Sequence, residues 1–352
     1  MRLTLTPPNL RDLIGIVKDK ASQSKAAIVS KPKTLSLHLS LLRSTTHHPF
    51  SPPHPKFITT FLSYGHSSRA TASAAIHALM DRLHSTHNSS VAIKCLVIVH
   101  HIIKHGTFIL QDQLSVYPST GGRNYLKLSS FKDNKTPITW ELSSWVRWYA
   151  RYLEQLISTS RVLGFFLCSR SNTAEKGEEE EEDKVSALTN SDLMKEIDSL
   201  SKLMEDICKR PEILHMQGNE LLKQIIFLVG EDYLSSTNEI ATRVGEFRQR
   251  LSCLSFSDSV ELVCVLKRLE DCKERLLALT TGKKELIEGV WKLISEMKNK
   301  IRVYSGEGKV MGGRDGGSES ARFGDRVTSY GNSVRFSSAR FGSNAFALPI
   351  GL

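Results

Sequence analysis

The sequence contains no run of about 18 apolar residues, the minimum for a helix that crosses a lipid bilayer. Its first ten residues, MRLTLTPPNL, also lack the apolar core of a secretory signal. We therefore expect a soluble protein whose contact with any membrane is peripheral.

Cysteine is sparse and scattered. None of the six cysteines stands in a CxxC pair or another metal-binding spacing, and most lie inside apolar helical patterns. This distribution is typical of reduced core residues in a cytoplasmic protein.

Motifs of the common enzyme classes are missing as well. The sequence has no GxSxG, no P-loop, no GxGxxG after a strand and no HExxH. His101 and His105 are four residues apart and could share a metal ion, but no carboxylate or cysteine completes the set, so an ordinary histidine pair is favoured. We predict that the protein is not an enzyme and has no cofactor or metal.

Acidic residues are scarce in the first half of the chain. Residues 1–165 carry 20 Lys and Arg against 7 Asp and Glu, whereas the remainder carries 27 against 30. A basic half of this kind indicates a polyanionic partner, either nucleic acid or an anionic membrane surface. A basic surface that only keeps the protein in solution is the alternative.

Residues 87–106 form the segment around which we expect the chain to be organised. Asn88 is a good helix N-cap, and Gly106 is the usual residue for a left-handed helix stop. Between them the sequence is apolar almost all round, which favours a buried central helix over a buried strand.

Apolar residues at helical spacing predict an all-α protein with helices over residues 9–29, 34–44, 56–64, 68–86 and 138–168. The prolines between residues 49 and 55 predict a rigid loop, and residues 107–137 read as mostly irregular. Three Trp and two Tyr of the long helix are expected to form a buried aromatic stripe: Trp140, Trp145, Trp148, Tyr149 and Tyr152. Helical spacing resumes beyond Leu193, with Pro211 at one helix start.

The organisation that these patterns predict has four parts. Residues 1–170 form a basic helical half, and residues 171–188 an acidic, disordered loop. Residues 189–304 form a second helical half. Residues 305–352 form a disordered tail rich in Gly, Ser and Arg. No repeat of fixed length is present, so any solenoid is irregular.

A basic cluster around the proline-rich loop is the best candidate binding site. Arg43 ends one predicted helix, and His54 and Lys56 stand at the entrance to the next, with Lys18, Lys20 and Lys33 as flanking candidates. Together with backbone N–H groups of the helix start, these cations suit a phosphorylated lipid headgroup. An ordinary basic loop is the alternative. Nucleic acid is disfavoured because no stacking motif or recognition helix is present.

Several stretches of the sequence resemble the ANTH/ENTH-domain clathrin assembly proteins, a family related to CALM and the epsins, and particularly the plant branch. These stretches are LIGIVKDKASQSKA (13–26), LRSTTH (42–47), PPHPK (52–56), AIHALMDRLHSTHNSSVAIKCLVIVHHIIKHG (75–106) and SSFKDNKTPITWELSSWVRWYARYLEQ (129–155). The resemblance covers roughly residues 10–300.

The resemblance implies an irregular α-solenoid, the ENTH/ANTH superhelix, and a site for phosphatidylinositol 4,5-bisphosphate or a relative. Arg43 stands at the family's first lysine, and His54 and Lys56 fall on its next two basic positions. Phe57 stands where the family has a histidine. Because only two of the four positions keep a permanent charge, we expect weaker and less selective lipid binding than the family pattern implies.

The resemblance also implies a role as a phosphoinositide-binding adaptor in clathrin-coat assembly, clathrin-dependent endocytosis and vesicle budding. Implied partners are clathrin, adaptor complexes and vesicle SNAREs. Implied locations are the cytoplasmic face of coated pits and vesicles, the plasma membrane and the Golgi apparatus. The tail contains no NPF, DPF or acidic clathrin box. An adaptor for SNAREs or cargo that does not bind clathrin is therefore the alternative, and a basic nucleic-acid-binding helical protein is a further one.

Overall fold

The computed structural model describes residues 10–117, 126–167, 183–278 and 284–307, which form α-helices and short 3-10 turns with no strand among them. The all-α prediction is confirmed. The helices are α1 Leu10–Val29, α2 Pro32–Ser44, α3 Pro55–Leu62, α4 Arg69–Ser85, α5 Ser89–His105, α6 Phe108–Ser115, α7 Pro137–Leu163, α8 Asn190–Cys208, α9 Glu220–Gln249, α10 Phe256–Leu277 and α11 Lys284–Glu307.

Each of the following helices packs on a helix one or two positions further along the chain. Helix α5 packs on α7, α7 on α8, α8 on α10 and α10 on α11. One apolar core runs through this stack, because each helix buries the face that its 3.6-residue pattern makes apolar. Among the described helices, none combines the length and the apolar character that a membrane span requires.

Two predicted boundaries differ from the structure. Helix α11 continues to Glu307, past the predicted start of the tail at residue 305, and residues 308–352 lie outside the described part. Residues 168–182 of the predicted acidic loop also lie outside it. Its last residues, 183–188, are ordered: the Ala187 N–H donates to the Asp183 carbonyl, and Val185 is buried.

Helix α5 is the buried central helix that the sequence predicted. The Asn88 side chain accepts the Val91 N–H at 3.0 Å, and every residue from Ser89 to His100 is buried. The predicted left-handed stop at Gly106 is wrong, since this residue has φ −66° and ψ 149°. A Cβ at Gly106 would lie 2.4 Å from the Ile102 carbonyl oxygen, so close backbone approach is the reason for glycine.

The sequence did not predict the starts of two helices correctly. Within the segment that was read as mostly irregular, Thr107 caps α6 by accepting the Leu110 N–H. Pro211 does not begin a helix; α9 begins at Glu220, capped by Asn219. Helix α6 has only eight residues, too few for a clear periodic signal.

The aromatic stripe of α7 is confirmed except at its first member. Trp145, Trp148, Tyr149 and Tyr152 are buried, whereas Trp140 is 56% exposed. At about 100° per residue, the buried four share one helix face, and a step of five residues moves Trp140 well off that face.

A buried polar cluster joins α5, α7 and α9. The Asp232 carboxylate lies 2.6 Å from His100 Nε2 and accepts hydrogen bonds from the Tyr152 hydroxyl at 2.5 Å and from Lys104 Nζ at 3.0 Å. His100 Nδ1 lies 2.7 Å from the Tyr149 hydroxyl. We call these five residues the Asp232 cluster. Burial raises the pKa of Asp232, but the nearby His100 and Lys104 and the bond from Tyr152 outweigh it, so the pKa lies well below its usual value.

The loop between α2 and α3 is held from beneath by a buried lysine of α5. Lys94 Nζ donates to the Thr46 carbonyl at 3.1 Å, the Thr46 hydroxyl at 2.8 Å and the His48 carbonyl at 2.8 Å. Burial lowers the pKa of Lys94 to about 8, although Asp19 raises it in part. On folding, the ammonium group of Lys94 therefore replaces its hydrogen bonds to water with hydrogen bonds to three loop oxygens.

Two further contacts fix the same loop. Arg82 of α4 donates to the Thr45 hydroxyl at 2.8 Å and to its carbonyl at 3.0 Å. The Asn219 amide donates to the Pro49 carbonyl at 3.1 Å. Helices α4, α5 and α9 thus all position the loop that carries the predicted site.

Replacing Asp232 by Asn should destabilise the protein by about 3–5 kcal/mol at neutral pH, because Lys104 and His100 lose a buried anionic partner. The wild type should also lose stability as pH falls below the ordinary Asp value of 3.8. There the unfolded chain binds a proton that the folded Asp232 does not. Urea unfolding at neutral and acidic pH measures both effects.

The matched control is Glu231→Gln, because Glu231 also contacts Lys104 at 3.1 Å but is 42% exposed in its side chain. It should cost less than about 1 kcal/mol. Equal losses for the two variants, or an unchanged acid profile in Asp232→Asn, would contradict the role assigned to the cluster.

Lys94→Met should lower the free energy of unfolding by about 3 kcal/mol, since it removes three hydrogen bonds that the buried ammonium group donates to the loop. The difference in stability between wild type and variant should widen as pH rises from about 8, the pKa of Lys94 in the folded protein, to 10.5, the usual value for lysine. In that range the unfolded wild type holds a proton that the folded protein has released. Chemical denaturation across alkaline pH tests this.

Lys56→Met is the control for Lys94→Met, because Lys56 is exposed. It should change stability by no more than about 0.5 kcal/mol. A loss in Lys94→Met as small as in the control would show that the loop does not depend on Lys94.

Candidate functional site

Phe57 is the centre of the surface where the predicted site residues meet. The Arg43 guanidinium lies over the Phe57 ring, 5.8 Å from its centroid, and the His54 ring centroid is 5.7 Å from the same ring. Lys56 precedes Phe57 in the chain. We call Arg43, His54, Lys56 and Phe57 the Arg43 patch.

The positions in the Arg43 patch follow from local structure. Arg43 lies in the last turn of α2, where the negative end of the helix dipole favours a cation. His54 is the N-cap of α3, and its Nδ1 accepts the Lys56 N–H at 3.2 Å. In the neutral ring this leaves Nε2 as an N–H donor. The end of α2 and the start of α3 therefore both lie at the Phe57 ring.

Arg43, His54 and Lys56 are exposed, and within the described ranges none of them contacts a carboxylate. The positive charges of Arg43 and Lys56 are therefore not neutralised by a carboxylate in the described part of the chain. An exposed cation over an aromatic ring gains about 0.5–1 kcal/mol, which favours this position of Arg43 without neutralising its charge. The patch can donate hydrogen bonds to an anion.

The expected backbone contribution of the α3 start is wrong. The Lys56 N–H is taken by His54 Nδ1, and the Phe57 and Ile58 N–H groups donate to the His54 carbonyl at 3.0 Å and 3.4 Å. Pro55 has no N–H. Because the cap satisfies the first turn internally, only side chains of the patch can reach an anionic ligand.

Helix α1 lies against the other end of the loop. Asp19 accepts the His47 N–H at 3.0 Å, and its Oδ1 lies 2.6 Å from His47 Nδ1. Lys18 and Lys20, on either side of Asp19, are exposed. The structure thus ties two flanking candidates to the loop. Lys33 lies in α2, but its side chain falls outside the described part.

Sequence reasoning treated two residues of this region too simply. Phe57 was read only as an apolar replacement, whereas its half-buried ring orders Arg43 and His54. Lys94 was read as part of the central helix and not as a support of the loop. A lone lysine within an apolar helix is the signal that could have found it, because a buried ammonium group requires nearby oxygens.

The histidine pair on α5 has a separate environment. The rings of His101 and His105 are 5.8 Å apart, and His101 Nε2 lies 3.4 Å from the Gln224 amide nitrogen. Burial and the neighbouring His100, His105 and Lys104 lower the pKa of His101 to about 4. The described residues contain no cluster of three or more side chains suited to bind a metal.

Comparison with known proteins places the chain in a family. The ANTH domain matches residues 36–234. "Putative clathrin assembly protein At4g40080" of Arabidopsis thaliana is 55% identical over 353 residues, covering 96% of each chain.

Two further Arabidopsis thaliana proteins are similar over most of their length. "Putative clathrin assembly protein At5g10410" is 35% identical over 81% of this chain and 84% of its own. "Putative clathrin assembly protein At5g65370" is 32% identical over 82% of this chain and 99% of its own. With the helical stack and the matched domain, these likenesses show that the chain belongs to the ANTH-domain family.

Proposed function

We propose that this protein is a peripheral membrane adaptor in clathrin-coat assembly and endocytosis, and that the Arg43 patch holds it on phosphoinositide headgroups. The observation that carries the lipid-binding part is that Arg43 and His54 lie against the Phe57 ring, with Lys56 next to it in the chain. None of the three contacts a carboxylate in the described ranges. The names of the similar Arabidopsis proteins support the clathrin part.

The chemistry of the Arg43 patch favours a phosphorylated ligand. Arginine offers a planar fork of N–H donors, lysine a mobile ammonium group and His54 Nε2 a further donor. Phosphatidylinositol 4,5-bisphosphate or a relative presents several phosphate oxygens within the span of one such patch. Lys18 and Lys20, tied to the loop through Asp19, are the flanking contacts that we assign to the same membrane surface.

The affinity of this site should be modest. Each cation near an anionic membrane contributes about 1 kcal/mol, so the patch and its flanking lysines support reversible recruitment. The charge surplus of residues 1–165 adds a longer-range attraction that salt weakens. These properties suit a protein that cycles between the cytoplasm and coated pits, vesicles, the plasma membrane or the Golgi apparatus.

Combined replacement of Arg43 and Lys56 by Ala should weaken binding to vesicles containing phosphatidylinositol 4,5-bisphosphate by about 30-fold, from the loss of about 2 kcal/mol. Cosedimentation at two salt concentrations measures the effect. Wild-type binding should fall with salt, and the variant should depend on salt less steeply.

Arg248→Ala combined with Lys267→Ala is the matched control. Both residues are exposed, and the double variant removes the same charge from α9 and α10. It should bind vesicles nearly as the wild type does. If the control loses as much affinity as the Arg43 and Lys56 variant, net charge and not the patch determines binding. If neither loses affinity, the site assignment is wrong.

The clathrin part has its own test. The full chain should sediment with preassembled clathrin cages, and the Arg43→Ala and Lys56→Ala variant should do so equally, because coat contact is assigned to other surfaces. A chain ending at Gly308 measures the share of the tail. Failure of the full chain to bind cages would remove the coat role and leave an adaptor for cargo or SNAREs.

A further inference from the structure

A second basic concavity lies at the start of α7, in the segment that precedes it and along its first turns. This cleft has a volume of about 420 Å³. Its lining consists of hydrogen-bond donors and one indole, with no carboxylate: Ser129, Ser130, Lys132, Asn134, Trp140 and Arg147. We call it the Trp140 cleft. None of its residues belongs to the Arg43 patch.

The wall of the cleft is held rigidly from behind. Asp133 is buried, accepts the Ser89 N–H at 3.0 Å and donates its own N–H to the Ser143 hydroxyl at 2.8 Å. Arg147 donates to the Phe131 carbonyl at 2.8 Å. Lys132, next to this anchor, is exposed. The donors are thus positioned before any ligand arrives, which lowers the entropic cost of binding.

The charges of the cleft are uncompensated. Across the described ranges, neither Lys132 nor Arg147 contacts a carboxylate. The buried carboxylate of Asp133 accepts the Ser89 N–H through Oδ2, and its Oδ1 lies 3.8 Å from Lys135 Nζ. An anion is therefore the complementary ligand. A volume of about 420 Å³ exceeds the need of a single phosphate and falls within the range of small-molecule sites.

The exposed indole of Trp140 indicates which class of anion fits the cleft. Trp140 is 56% exposed, and it borders a cleft that is otherwise polar. The flat face of an indole packs well against the C–H face of a saturated ring, while the donors around it suit hydroxyl and phosphate oxygens. A peptide recognised through apolar anchor side chains is disfavoured, because within the described lining only the indole is apolar.

We propose that the Trp140 cleft binds a phosphorylated polyol ring of the inositol phosphate class, as a second site separate from the Arg43 patch. The phosphates meet Lys132 and Arg147, the hydroxyls meet Asn134 and the serine side chains, and the ring lies on Trp140. This site stands independently of lipid binding at the Arg43 patch. Its ligand comes either from a free inositol phosphate or from a lipid headgroup.

The fluorescence of Trp140 can report whether a ligand occupies the cleft. The other three tryptophans are buried, with exposures of 0% for Trp145, 6% for Trp148 and 3% for Trp291. Acrylamide should therefore quench mainly Trp140 fluorescence in the full chain. Inositol 1,4,5-trisphosphate should protect this fluorescence in a saturable way, whereas sulfate at equal ionic strength should not.

Lys132→Gln should raise the half-protecting concentration about tenfold, the effect expected for one charge-assisted contact. Lys127→Gln is the matched control, because Lys127 is an exposed lysine of the same segment that does not line the cleft. It should leave protection unchanged. The Arg43→Ala and Lys56→Ala variant should keep full protection, which separates this site from the function proposed above.

The source of the ligand is tested with vesicles that contain phosphatidylinositol 4,5-bisphosphate, compared with vesicles of equal charge made with phosphatidylserine. Protection by the former that depends on Lys132 assigns a lipid headgroup. Protection by the soluble trisphosphate alone assigns a free inositol phosphate. Absence of protection by both probes, equal losses in Lys132→Gln and Lys127→Gln, or loss of protection in the Arg43 and Lys56 variant would overturn the proposal.

Discussion

The buried carboxylate of Asp232 is the contact on which the arrangement of the helical stack depends. A charge in an apolar interior is tolerated only with partners at hydrogen-bond distance, and here these come from α5 and α7 while Asp232 itself lies on α9. Sliding any of the three helices by one residue would separate the partners. Apolar packing alone tolerates such slippage better, so the cluster fixes the register of the core.

That register has a consequence at the surface. Once α5 is placed, Lys94 lies beneath the loop between α2 and α3, and Arg82 of α4 reaches Thr45 of the same loop. The loop is therefore a rigid part of the stack, held by these hydrogen bonds as well as by its prolines. The residues of the Arg43 patch flank this loop, so their positions depend on Lys94 and Arg82.

Lysine and arginine thus serve two opposite purposes in the first half of the chain. Lys94 and Arg82 donate to backbone and hydroxyl oxygens of the loop and so serve its structure. Arg43 and Lys56 are exposed without a carboxylate partner in the described part of the chain. The basic surplus of residues 1–165 therefore overstates the charge available for binding, and burial decides which cations are available.

The sequence by itself determined the all-α class, most helix positions and the central buried helix, because caps and 3.6-residue periodicity act within a few residues of one another. A local basic pattern also made Arg43, His54 and Lys56 the predicted site residues. Only the tertiary structure decided that Arg43 and His54 lie against Phe57, that Lys94 supports their loop, that Trp140 is exposed and that Asp232 meets His100. Each of these depends on a neighbour distant in the chain, or on which helix face the stack covers, and no local pattern encodes that information.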